Sequence, residues 1–184
     1  MRYEYGLPID SFRIDTCVVK SGETLGGMLN RLGATRQQVA GVTMMPRSEF
    51  DVCSILPGKT YYALFQADTA GIEQLCHYIY KPNIRETFVL HLKDSIYVER
   101  FEKPIIRKDR AAEVVIESSL WNAMVGNNLP PELAIELSDI YAWTIDFFGL
   151  QKGDSIRVYY EEQYVDSIRI GIGRIYAADF YHGR

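Results

Sequence analysis

Hydrophobic and polar positions in the first third of the chain follow strand and helix periods in turn. Thr16–Lys20 has the β-branched and alternating character of a short strand. Two short amphipathic helices are predicted next, over Leu25–Leu32 and Arg36–Val42, and a threonine directly before each can cap it. A second strand follows over Thr60–Gln66. The pattern therefore predicts a strand–helix–helix–strand unit.

The rest of the chain divides into a strand-rich middle and a mixed last part. Ile72–Ile106 alternates mostly as strand, and the charged run Arg107–Arg110 is typical of a joint between domains. We therefore predict one domain over 1–112 and a second, with two helices and a closing hairpin, over 113–184. Glu161–Gln163 is predicted as the hairpin tip, and an α+β fold is expected. The inward stripe of the second helix in this domain is predicted to comprise Leu133, Leu137, Ile140, Tyr141 and Thr144.

The composition excludes several classes of protein but does not identify one. The 184 residues are 47% hydrophobic and 24% charged, which is ordinary globular composition and excludes wholesale disorder. The net charge of -4 argues against binding to nucleic acid, and no apolar run approaches the length of about 20 residues that spans a membrane. The three cysteines, Cys17, Cys53 and Cys76, form no C-x-x-C motif and are expected to be buried, unreactive thiols.

Motifs for catalysis are scarce. The three histidines, His77, His91 and His182, form neither H-x-x-x-D nor H-x-H, so no zinc site is predicted. His91 lies on an alternating strand and is expected to be a packed or half-exposed histidine. No G-x-S-x-G nucleophile motif is present. A carboxylate pair such as Asp139 and Glu162 could serve glycan hydrolysis if the two groups were held close together, although solvated turns and helix faces explain these acids as well.

Glycines near the C-terminus suggest a nucleotide loop only superficially. Gly171-Ile172-Gly173 lacks the third glycine of that motif, because Tyr176 occupies its place, and strand rather than helix follows. A β-bulge or a close backbone approach is the better prediction.

The first third of the chain resembles a LysM module. The resemblance is carried by Val18–Leu25, by Leu29, by Leu32-Gly33 and by Leu56–Lys59 with Tyr61. LysM modules bind polymers of N-acetylglucosamine such as peptidoglycan, through the first loop and the segment after the second helix. The resemblance thus implies a glycan-binding set of Ser21, Gly22, Glu23, Thr24, Leu25, Thr43 and Met44. From their local positions alone, Thr24 and Leu25 would serve equally well as helix cap and core residue.

The second half resembles the non-catalytic N-terminal region of M23-type (LytM-type) cell-wall zinc endopeptidases of Gram-negative bacteria. Five segments carry the likeness: Ile116–Met124, Leu137–Phe148, Gly153–Val158, Tyr160–Glu162 and Ile175–Phe180. In that family a LysM-like domain precedes this second domain, and a catalytic domain follows. The fold implied is a LysM-like βααβ module, a strand-rich region, and then a domain of helices and antiparallel sheet.

The resemblance implies that the chain is a regulatory or peptidoglycan-associated region without catalytic residues or cofactor of its own. Zinc is expected only in a catalytic domain outside these residues, and peptidoglycan or a fused or partner M23 catalytic domain is the expected partner. The expected location is the periplasm or cell envelope, with a signal peptide removed from the mature protein. The alternatives are a stand-alone envelope adaptor for protein interactions and the carboxylate-dependent hydrolase. A reading frame that continues into H-x-x-x-D and H-x-H motifs would favour the endopeptidase, whereas a stop codon after Arg184 would favour the adaptor.

Overall fold

The computed structural model describes residues 1–147 and 149–182. Phe148, in a segment that carries the family resemblance, and Arg184 lie outside the described residues. The chain forms two compact units, Met1–Lys103 and Pro104–Arg184. Four α-helices and ten strands in three antiparallel sheets are found among the described residues, which confirms the α+β class.

The first unit contains the strand–helix–helix–strand order that the sequence predicts. Its elements are β1 (Tyr3–Glu4), β2 (Leu7–Pro8), β3 (Arg13–Val18), α1 (Leu25–Arg31), α2 (Arg36–Thr43), β4 (Thr60–Ala67), β5 (Glu73–Tyr80), β6 (Glu86–His91) and β7 (Tyr97–Glu102). β3 to β7 form a five-stranded antiparallel sheet in chain order, and β1 and β2 form a separate short hairpin. β3 and β4 pair directly although both helices lie between them in sequence, as strands that follow one another along the chain commonly do.

Both faces of the central strands are covered, which explains why their sequences are apolar at nearly every position. On β5, Tyr78 and Tyr80 pack with Leu25 and Leu29 of α1, whereas Ile79 between them packs against the N-terminal segment. Successive side chains of a strand point to opposite faces, so two separate clusters share one strand. The helices therefore rest on one face of the sheet, and the residues before β3 cover the other.

The second unit is a three-stranded antiparallel sheet with two helices. Its elements are β8 (Ile106–Val115), α3 (Leu120–Gly126), α4 (Glu132–Ile140), β9 (Ser155–Val165) and β10 (Ile168–Tyr181), and the strand order is β10-β9-β8. The helices contribute Leu120, Met124, Leu133 and Leu137 to a core that includes Ile156 of β9.

Three local predictions for this unit are corrected by the structure. The run Arg107–Arg110 is part of strand β8 rather than a joint, and the boundary that we predicted near residue 112 falls inside the same strand. The hairpin tip is Asp166-Ser167, not Glu161–Gln163, since Val165 pairs with Ile168 and both turn residues have positive φ, 48° and 68°. Helix α4 ends at Ile140, which is exposed, so the inward stripe stops at Leu137 apart from half-buried Tyr141.

The predicted irregularity at the C-terminal glycines is confirmed. The β9–β10 register shifts between Arg169 and Gly171 and again between Ile172 and Ile175. A Cβ on Gly173 would collide with the carboxylate of Glu161 on the neighbouring strand.

Candidate functional site

The loop between β3 and α1 is held in place mainly by Glu23. Glu23 accepts a hydrogen bond from the Lys20 N–H at 2.8 Å and forms an ion pair with Arg31 of α1. The hydrogen bond from Arg31 is the main cause that lowers the pKa of Glu23 below its usual value. Ser21 and Gly22 are exposed, and Gly22 has a φ of +78°, which a glycine adopts without strain. The loop thus presents its backbone to solvent in one fixed conformation.

Thr24 and Leu25 have clear structural roles. The Thr24 hydroxyl accepts a hydrogen bond from the Gly27 N–H at 3.2 Å and so caps α1. Leu25 is only 2% exposed and belongs to the core. Cap and core account for both residues, although the Thr24 side chain also lies at the surface beside the loop.

Thr43 and Met44 end the second helix close to the beginning of the first. A Cβ on Gly26 would lie 3.5 Å from Val39 Cγ1 and 3.8 Å from Thr43 Cγ2, so the start of α1 packs against the last turns of α2. The Thr43 hydroxyl donates to the Val39 carbonyl at 2.9 Å, whereas Met44 is 83% exposed. We call Ser21, Gly22, Thr43 and Met44 the loop surface; it offers backbone groups, hydroxyls and one flexible apolar side chain to a ligand.

A pair of histidines lines a cavity of about 390 Å³ in the first unit. His77 and His91 are directly opposite each other on β5 and β6, and their rings meet edge to face at 4.9 Å. His91 is 8% exposed, stacks on Tyr97 at 4.2 Å and contacts Glu99 at 3.1 Å, which confirms the expected packed histidine. Burial lowers the pKa of His77 to about 4, with a smaller contribution from His91. His77 therefore stays uncharged at neutral pH, and both rings act as packing.

The described residues bring no group of three His, Cys, Asp or Glu side chains together as metal ligands. His182 of the second unit contacts buried Asp154 at 2.9 Å instead. Within the described chain the donor set therefore does not fit the zinc ion that the resembled family would use. Of the cysteines, Cys76 is buried as expected, Cys17 is half-buried and Cys53 is exposed, so the expectation of buried thiols is wrong for Cys53.

Glu162, one of the two carboxylates considered for hydrolysis, lies in a buried polar network. It is 6% exposed and accepts hydrogen bonds from Tyr160 at 3.1 Å, Tyr164 at 2.5 Å and Arg110 at 3.2 Å, with Arg169 3.7 Å away. Burial alone would raise its pKa, but the hydrogen bonds outweigh burial and the pKa is lowered. A general acid needs a raised pKa, so the network holds a fixed anion. Asp139 lies exposed on α4, a different element.

A large cavity in the second unit was missed by sequence reasoning. It is a groove of about 890 Å³ formed by α3, α4 and the segment after α4. Trp121 is 47% exposed and Trp143 is 98% exposed, and they are the only two tryptophans of the chain. We call this feature the tryptophan groove; its lining residues are Ser119, Leu120, Trp121, Ala134, Ile135, Ser138, Asp139, Ala142, Trp143, Thr144, Ile145, Asp146 and Phe147. The sequence pattern gave no signal for the groove, because the predicted stripe continued to Thr144, whereas α4 ends at Ile140 and leaves the following apolar residues outside the core.

Comparison with known proteins gives partial matches. No protein-family model matches the chain. The peptidoglycan DD-endopeptidase ShyC of Vibrio cholerae is 37% identical over 97 residues, which cover 52% of this chain and 22% of that protein. The DD-carboxypeptidase/endopeptidase Mpg of Neisseria meningitidis is 24% identical over 166 residues, covering 90% of this chain and 38% of Mpg. The chain therefore spans well under half the length of these curated relatives.

Solved structures share the fold. A zinc-containing peptidase from Vibrio cholerae matches with a TM-score of 0.60 and 20% identity, over 90% of this chain and 51% of that one. Helicobacter pylori Csd3 matches with a TM-score of 0.58 and 18% identity, over 91% and 45%. The similarity to cell-wall endopeptidases that the sequence suggests is thus confirmed at the level of homology over part of their length. None of the described helices is long and apolar enough to cross a membrane.

Proposed function

We propose that this chain is a non-catalytic, peptidoglycan-associated region of an M23-type endopeptidase of the cell envelope. The observation that carries the proposal is the match to Mpg, which takes in 90% of this chain but only 38% of its relative. Two relatives with endopeptidase names support an envelope location, and we place the protein in the periplasm. In this proposal the region binds glycan or restrains a catalytic domain, and chemistry is done elsewhere.

The non-catalytic part of the proposal rests on the histidines and carboxylates. Neither H-x-x-x-D nor H-x-H occurs in the sequence, and His77 and His91 are engaged with each other and with packed aromatic rings. Glu162 is held as an anion by its network. We expect zymography with this chain alone to give no clearing of peptidoglycan. A clearing band that is lost in Glu162→Gln or Asp139→Asn would instead establish the carboxylate-dependent hydrolase.

Glycan binding is assigned in this proposal to the loop surface of the LysM-like βααβ segment. Gly22 and Ser21 leave backbone groups accessible, and Glu23 and Arg31 hold the loop in one conformation before any ligand arrives. A preformed site loses less entropy on binding than a mobile loop would. Met44 adds an exposed apolar side chain for the sugar ring face.

Co-sedimentation with purified sacculi tests this assignment. We expect the full chain to be retained above a control protein, and Met44→Asp to reduce retention severalfold, because a charge replaces the apolar contact. Ile72→Asp is the matched control, since Ile72 is also exposed, at 62%, in the same unit but far along the chain. Retention equal to that of the control protein would contradict peptidoglycan binding. Equal losses in the two variants would remove the loop surface as its site.

A further inference from the structure

Several large apolar side chains of the tryptophan groove are exposed to solvent. Trp143 is almost fully exposed, and Ile135 is 54% exposed on the adjacent face of α4. Contiguous exposed apolar surface in a soluble domain usually marks an interaction site. Tryptophan is also among the residues that contribute most to binding where proteins meet.

The surroundings of the groove carry one sign of charge. Residues 117–147, which form both helices and the segment after them, contain five acidic residues and neither Lys nor Arg. The acids are Glu117, Glu132, Glu136, Asp139 and Asp146, and the last two line the groove. The strands of the same unit, in contrast, carry arginines such as Arg107 and Arg157. Among the described residues of the unit, every Lys and Arg except Lys152 lies on a strand, and Lys152 precedes β9 and pairs with Glu117 at 2.9 Å. The acids that line the groove, Asp139 and Asp146, are therefore on the acidic, helical side of the unit.

The shape, the apolar lining and the charge of the groove together indicate which kind of ligand it binds. An apolar groove between helices accepts the apolar face of an amphipathic segment, whose polar side remains in water. Carboxylates at the rim attract Lys and Arg, and exposed Trp faces bind such cations directly. Leu120, Ala134 and Ile145 are among the apolar residues that line the groove, and the lining hydroxyls of Ser138 and Thr144 donate to backbone carbonyls of their own segment. This favours an apolar segment over a neutral glycan, which needs hydroxyl partners of its own.

We propose that the tryptophan groove is a docking site for a basic amphipathic protein segment. Its apolar face lies against Ile135 and the Trp rings, and its Lys or Arg side chains lie near Asp139. This role goes beyond the proposed function, because it assigns a protein partner to the second unit independently of the loop surface of the first. Loss of one activity therefore leaves the other measurable.

The test uses the full chain and a labelled synthetic amphipathic helix made of leucine and lysine. Because both tryptophans line the groove, their emission reports its occupancy without a further label. We expect a saturable blue shift, and binding by anisotropy that weakens about tenfold in Trp143→Ala. Asp139→Asn and a rise in salt concentration should each weaken binding about two- to threefold.

Matched variants and probes make the result decisive. Tyr181→Ala and Asp179→Asn remove an exposed ring and an exposed carboxylate from β10, outside the groove, and should bind like the wild type. A leucine–glutamate peptide of the same length should not bind. The proposal is overturned if Trp143→Ala binds as tightly as Tyr181→Ala, or if the acidic peptide binds equally well. It is also overturned if an N-acetylglucosamine oligomer shifts the Trp emission and the basic peptide does not, which would make the groove a glycan site.

Discussion

Tyr164 donates a hydrogen bond of 2.5 Å to Glu162, two residues earlier on the same strand. Alternate residues of a strand share a face, so the phenol and the carboxylate meet without any turn of the chain. The bond is charge-assisted, which makes it stronger than one between neutral groups. It is one of the contacts that keep a buried carboxylate ionised.

Glu162→Gln should destabilise the protein at neutral pH by about 1–3 kcal/mol, because buried donors lose their anionic acceptor. The folded pKa of Glu162 lies below its usual 4.5, so its ionisation stabilises the fold above about pH 4.5. That stabilisation is lost as the pH falls through the lower folded pKa. Urea unfolding at pH 7 and at decreasing pH checks this. A gap between variant and wild type that stays constant down to pH 3 would contradict it.

His77 should titrate at a pH well below that of an ordinary histidine, near its pKa of about 4. Because the folded pKa is depressed, the neutral ring stabilises the fold fully above about pH 6.5, and this contribution falls as the pH drops towards 4. NMR titration of the ring measures the pKa directly. His77→Phe keeps the edge-to-face contacts with Phe12 and His91 and should make stability less dependent on pH in this window. An ordinary titration near pH 6.5 would refute the packing described for this ring.

Thr24→Ala should lower the free energy of unfolding by about 1 kcal/mol, because the first turn of α1 loses its cap. Thr24→Ser retains the hydroxyl and should be close to the wild type. Thermal unfolding measures stability, and sacculus binding is measured on the same samples. If Thr24→Ala abolishes binding while Thr24→Ser preserves it at unchanged stability, the residue contacts ligand as well as capping the helix.

Gly41→Ala should destabilise the first unit by about 1–3 kcal/mol through overpacking. A Cβ at Gly41 would lie 2.5 Å from Ile96 Cδ1 and 3.3 Å from Ile96 Cβ. Gly26→Ala is the matched control, because its new Cβ would make contacts of ordinary length and alanine favours helix by up to about 1 kcal/mol. Denaturant unfolding compares the two. Shortening Ile96 to Ala in the Gly41→Ala background should reduce the overpacking, and the absence of such coupling would argue against the close approach.

Local sequence signals predicted the first unit well because its helix boundaries are set by neighbouring residues. The Thr24 and Thr35 hydroxyls cap α1 and α2 by accepting hydrogen bonds from the backbone N–H groups three residues later. Both helices begin where they were predicted to begin and end within one residue of the predicted end. The order of strands and helices follows from the same signals. One face of the five-stranded sheet is covered by the N-terminal segment, and no local sequence pattern indicates that packing.

The second unit was harder to predict because distant residues decide its details. Glu162 looked like a solvated hairpin residue, but Arg110, more than fifty positions earlier, and Arg169 make its burial possible. The turn at Asp166-Ser167 contains no glycine, so its positive φ values were not signalled. The tryptophan groove depends on how α3 and α4 pack, and periodicity within one helix cannot show that.

The charged run Arg107–Arg110, which the sequence predicted as a joint between domains, lies in β8, one of the two outer strands of the second unit's sheet. An outer strand offers unpaired backbone groups to any extended chain, and intermolecular sheet growth starts at such edges. Lys108, Asp109 and Arg110 are exposed there, so another chain that pairs with this edge has to desolvate charged side chains. Charges along an edge disfavour such pairing, and replacing them by apolar residues is expected to make the edge prone to aggregation.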